Sequence, residues 1–108
     1  MPDMPDVVYQ TVDGMRVTMT ERRWATHILP RHAEVTEGDV AQALTAAVRV
    51  YQHRTDPARR IYQGPPRTRG FFQRLIPTVV VEVTGADTGA VVTAYLSSLA
   101  YRGVQRWP

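Results

Sequence analysis

Thr78-Val79-Val80-Val81-Glu82-Val83-Thr84 and Ala90-Val91-Val92-Thr93-Ala94-Tyr95-Leu96-Ser97-Ser98, joined by Gly85-Ala86-Asp87-Thr88-Gly89, decide the fold. Both runs are rich in β-branched residues and the connector is short, so they are expected to pair antiparallel at the centre of a sheet. If helices cover one side of that sheet, successive residues point to opposite faces. Val92, Ala94 and Leu96 are then expected to face the helices, and Val91, Thr93, Tyr95 and Ser97 the other way.

Toward the N-terminus, Arg59 to Gln63 and Arg49 to His53 read as two short strands around a turn containing Asp56-Pro57. The same parity puts Ile61 inward and Arg60 and Tyr62 outward, so Arg60, Tyr62, Thr93 and Tyr95 are expected to share one open face. Thr36 caps a helix with Asp39 at its third position and Val35 and Val40 as the staple; Val40, Ala43, Leu44, Ala47 and Val48 form its apolar stripe. An earlier helix is capped by Thr20, stapled by Met19 and Trp24, and expected to end before Pro30. Val7 to Val12 and Met15 to Thr20 alternate around Asp13-Gly14, the signature of an N-terminal hairpin. Between the short strands and the central pair, Gly64 to Gly70 reads as a mobile basic loop and Phe71 to Ile76 as a helical turn. The stretch from Tyr101 to Pro108 has no sustained period and is expected to fray or to lie along an edge. The fold class is α+β: an N-terminal hairpin and two helices packed on one face of a mainly four-stranded antiparallel sheet. A length of 108 residues suits one domain, here 1–108 with its core over about 20–98.

Composition narrows the chemistry. There is no cysteine, which removes disulfides, zinc ribbons and a thiol nucleophile. The ten acids are scattered and no histidine pair has helical ligand spacing, so no metal and no cofactor is expected. Phosphate loops, dinucleotide fingerprints and nucleophilic-serine elbows are absent from the sequence. Neither a secretory signal nor an apolar stretch of spanning length is visible, so the expected home is the cytoplasm, or a target cell's cytoplasm reached by a non-Sec route, with no membrane partner. All 13 basic residues are arginine, whose planar fork pairs with phosphate.

The densest functional stretch is Arg23-Trp24-Ala25-Thr26-His27-Ile28-Leu29-Pro30-Arg31-His32. Arg23 and His27 share a helix face opposite Trp24 and Ile28, and Pro30 is expected to turn Arg31 and His32 toward a cleft. Imidazole titrates near neutrality, so His27 and His32 can exchange protons with a ribose 2′-hydroxyl or a leaving 5′-oxygen while arginine holds phosphate charge. Glu34 and Glu82 are the acids available to orient a histidine.

The ordered motifs Trp24-x-x-His27-Ile28-x-x-Arg31-His32-x-Glu34, Arg60-Ile61-Tyr62 and Val92-Thr93-Ala94-Tyr95 resemble the prophage-associated nucleases of the barnase/EndoU/colicin/RelE (BECR) superfamily, over roughly Trp24 to Leu96. Ala33 and Gln63 stand where such nucleases often carry a proline and a second aromatic. The resemblance implies a metal-independent endoribonuclease of a toxin or phage-conflict system that leaves a 2′,3′-cyclic phosphate. Carried over by motif, the catalytic candidates are His27, Arg31, His32, Arg60, Tyr62, Thr93 and Tyr95. Arg31 and Arg60 are expected to clamp phosphate and Thr93 to position a non-bridging oxygen; Arg23, Arg67 and Arg69 are the RNA-binding candidates. The implied partners are RNA and a cognate immunity or antitoxin protein. Two other readings stand beside it: a non-catalytic RNA-binding module, and a protein-interaction domain of an immunity or phage structural component.

Overall fold

Gly14 turns the chain at φ +86°, the left-handed region that a side chain resists, and closes a three-residue loop in which Thr11 N–H donates to Met15 O at 2.8 Å. The loop joins β1 (Val7–Gln10) to β2 (Arg16–Met19), the expected hairpin. The structure, a computed structural model, describes residues 6–69 and 73–108, without the side chains of 68, 69, 73 and 74. A first helix, α1, spans 21–31, and α2 is Glu37–Thr45. The strands β3 (Arg49–Gln52), β4 (Arg59–Gln63), β5 (Arg67–Arg69), β6 (Gln73–Val83), β7 (Thr88–Ser97) and β8 (Gln105–Trp107) follow.

Seven strands form one mixed sheet in the order β1-β2-β7-β6-β4-β3-β8, with β5 paired to the start of β6 off that path. The α+β class stands, but the sheet is not the four-stranded antiparallel one expected. Its middle, β7-β6-β4-β3, is antiparallel. The hairpin does not lie on its face; β2 extends it by running parallel to β7, Arg16 opposite Thr88 and Thr18 opposite Ala90. Alternation within a strand dictates which side chains are buried but not which backbone edge it will meet, so the sequence carries no trace of this ladder. At the far edge β8 pairs with β3, placing the C-terminal stretch along an edge. The basic segment after Gly64 is likewise a strand, β5, rather than a loop. Of the helical turn expected at Phe71–Ile76, residues 71 and 72 lie outside the described ones, and the rest belongs to β6.

The main core lies between the sheet and the helices. Ile28 from α1 and Val40, Ala43 and Leu44 from α2 meet Val17, Val50, Tyr62, Val79, Val81, Val91 and Ala94 of the strands. Burying Ile28 or Leu44, both 0% exposed, stabilises the fold by about 1.5–3 kcal/mol each. Gly64 lets the chain leaving β4 press against α2: a Cβ there would stand 3.0 Å from the Gln42 carbonyl. A smaller cluster of Tyr51, Ile61 and Val80 lies apart from this core, joined by Val92, Tyr95 and Tyr101.

The expected division of the strands by parity fails at two places. A register shift between Val80 and Val81 puts Thr93 opposite Val80 but Val91 opposite Val81. Val92 is the extra residue of this β-bulge, so Val91, not Val92, shares the helix-side core with Ala94. In β4 the parity is inverted: Tyr62 pairs with Val79 and Arg60 with Val81, both helix-side, while Ile61 pairs with Val80 of the other cluster.

Candidate functional site

Helix α1 begins with Thr20 accepting from Arg23 N at 3.0 Å and becomes π-helical over Trp24–Ile28, where Leu29 N–H reaches back to the Trp24 carbonyl. Pro30 does not stop it. The helix continues through Arg31, and His32 N–H bonds to Ile28 O at 2.7 Å, so the proline's missing donor is absorbed within the last turn. Ile28 is sealed and Trp24 packs on the core, which anchors the apolar side as expected. Arg23 and Arg31 are exposed and His27 is partly so.

Thr20, Arg22, Arg23, Thr26 and His27 line a polar, open hollow of about 240 Å³. Partial desolvation, then the positive charges of Arg31 and Arg23 and the neighbouring His32, lower the His27 pKa below its ordinary 6.5. The helix therefore offers a neutral imidazole inside a cationic field. His32, at the end of α1, meets the sheet: its ring lies 6.0 Å from the ring of Tyr95 on β7, tilted by 42°. His32 Nδ1 is also 3.9 Å from Glu34 Oε1. Burial, and secondarily Tyr101, raise the Tyr95 pKa above 10.0 against the opposing pull of Arg54, so this phenol keeps its proton at neutral pH.

The other strand candidates do not join this group. Tyr62 is 0% exposed, and its hydroxyl donates to Asp13 Oδ1 at 2.8 Å. Burial, then that hydrogen bond and the Asp13 charge, push its pKa up to about 12. Arg60 Nη1 donates to Asp13 Oδ2 at 3.0 Å. The expectation that Arg60 and Tyr62 share an open face with Thr93 and Tyr95 is thus corrected: they form a partly buried knot with the hairpin loop, on the helix side. Thr93 shares the Tyr95 face, but its Oγ1 is sealed from solvent and has no hydrogen-bond partner among the described residues, which leaves it no route to a phosphate.

Arg67 is tied down as well. Its Nη2 pairs with Asp39 Oδ2 at 3.2 Å and donates to the Glu34 carbonyl at 3.2 Å, bracing the capping box of Thr36 and Asp39. The side chain of Arg69 lies outside the described residues. Glu82 sits across from Arg59 and Ala90, away from the histidines. His53 accepts the backbone N–H groups of Thr55 and Asp56 at Nδ1, capping the turn between β3 and β4.

Sequence reasoning missed a second aromatic and cationic group beside Tyr95. Tyr101 lies 5.6 Å from the Tyr51 ring, with the Arg54 guanidinium 5.7 Å over its face. Alternation through Val50-Tyr51-Gln52 could have flagged Tyr51; nothing in the aperiodic tail signals Tyr101. No family model, curated protein or solved structure matches the chain. Among the described residues, no helix is long and apolar enough to cross a membrane.

Proposed function

We propose that the chain is a metal-independent endoribonuclease whose proton-transfer pair is His32 and Tyr95. The observation that carries this reading is the approach of the two rings, 6.0 Å between centroids, at the junction of α1 and β7. The Glu34 carboxylate, 3.9 Å from Nδ1, favours a proton on that side of the ring by charge rather than by a hydrogen bond, and Nε2 takes the ribose 2′-hydroxyl proton. The 2′-oxygen attacks phosphorus, the bond to the 5′-oxygen breaks, and the Tyr95 phenol returns a proton to the departing 5′-oxygen. Products are a 2′,3′-cyclic phosphate and a 5′-hydroxyl end. Desolvation and the positive charges of Arg31 and Arg23 keep His27 neutral, and the two arginines supply the charge that a phosphodiester neutralises. Arg60, Tyr62 and Thr93 have no part in this chemistry.

Labelled single-stranded RNA incubated with the protein in chelator is expected to yield cyclic-phosphate ends. His32→Ala and Tyr95→Phe are each expected to cut kcat by about 10²–10⁴-fold. The alkaline limb of the wild-type pH profile lies above pH 10, following the raised Tyr95 pKa, and is absent in Tyr95→Phe. RNA left intact at high protein concentration overturns the reading.

A further inference from the structure

The C-terminal tail after β7 folds back over the sheet face opposite the helices and encloses, with β7 itself, an open hollow of about 270 Å³. Its lining includes Arg54, Tyr95, Ser97, Tyr101 and Arg102, with no acid among the lining residues. The hollow is built rather than incidental. Gln63, 4% exposed, accepts from Tyr101 N at 2.9 Å and donates through Nε2 to Thr78 Oγ1 at 3.1 Å, fastening the tail to β4 and β6. The Tyr101 hydroxyl accepts from Arg54 N at 2.9 Å, which locks the ring beneath the Arg54 guanidinium. Gly103 makes room for that ring, since a Cβ there would stand 2.6 Å from it. Arg54 and Arg102 are exposed at the rim.

We infer that this hollow seats one nucleotide of single-stranded RNA, next to the nucleotides that span the cleaved bond. The inference rests on the ribonuclease reading for its substrate, and Tyr95 joins the two sites. Two exposed guanidiniums meet backbone phosphates, and aromatic side walls offer a base a surface that does not depend on sequence. A volume just below the roughly 300–1,000 Å³ of pockets that enclose a drug-sized ligand suits a single base, whose faces are free to stack on a tyrosine only when it is unpaired.

Fluorescence anisotropy with a labelled ten-nucleotide single-stranded RNA tests it, using His32→Ala protein so that nothing is cleaved. Adding Arg54→Gln and Arg102→Gln together is expected to weaken binding about tenfold at moderate salt. Loss of two phosphate contacts also lowers the slope of log affinity against log salt by about 1.4. A blunt duplex of the same RNA is expected to be indifferent to the two substitutions. Unchanged affinity and slope, or an equal loss on the duplex, overturns the seat. If wild-type protein cleaves RNA while the doubly substituted active enzyme keeps its KM, the seat fails and the ribonuclease reading survives. If wild-type protein cleaves nothing but the seat binds as described, the reverse holds.

Discussion

Asp13 accepts from three side chains, those of Thr11, Arg60 and Tyr62. Asp13→Ala leaves the Tyr62 hydroxyl buried without an acceptor and is expected to cost about 2 kcal/mol or more in urea denaturation. The same knot makes alkaline pH destabilising. With the Tyr62 pKa raised from 10.0 to about 12, its contribution is full below pH 10 and disappears as pH climbs through 12, where a phenolate would face the Asp13 carboxylate. Stability measured between pH 9 and 12 is expected to fall for the wild type and to fall less for Tyr62→Phe. Thr93 presents the opposite case, a sealed hydroxyl with no partner among the described residues. Thr93→Val removes an unsatisfied group of nearly equal volume and is expected to raise Tm by a few degrees, and on the ribonuclease reading to leave cleavage unchanged. A lower Tm would mean that the hydroxyl is satisfied.

Among the elements, α2 was the most legible. Thr36 and Asp39 form the reciprocal cap that their spacing predicts, and Val40, Ala43 and Leu44 are buried as the stripe requires. The helix ends at Thr45, so Ala47, though buried, lies beyond it, and Val48, expected in the stripe, is exposed where the chain turns into β3. The sequence did not reveal that Asp39 also holds Arg67, because an ion pair across 28 positions leaves no local pattern. A double-mutant cycle of Asp39→Asn and Arg67→Gln is expected to give a coupling of about 0.5–1 kcal/mol, modest because Arg67 is a third exposed. Strand β4 was placed to the residue, yet its faces were inverted. Arg60 and Tyr62 look like outward residues by polarity, and only the distant hairpin loop explains how both are accommodated inside. In β7 the bulge at Val92 adds one residue to the strand, and three consecutive β-branched residues, Val91, Val92 and Thr93, give alternation nothing to contradict it. The half of the candidate site on α1 was legible because histidine and arginine spacing is local. Its meeting with Tyr95, 63 positions further on, has no local pattern to announce it, and Tyr95 was only a candidate. The tail was expected to fray or lie along an edge, where β8 is found, but its contacts through Tyr101 were not expected.

At the scale of the whole molecule, the sheet is assembled from both ends of the chain: β1 and β2 on one flank, β8 on the other, and the long β6–β7 hairpin between. The parallel ladder from Arg16 to Thr88 sets a timetable for synthesis. The N-terminal hairpin emerges early from the ribosome but finds its neighbour only when β7 has followed, so most non-local pairing waits for a nearly complete chain. His32 and Tyr95 stand on either side of that wait. A nascent chain still lacking β7 holds a histidine with no phenol beside it, and on the ribonuclease reading proposed above the messenger being translated meets no complete proton-transfer pair until the domain closes as a unit.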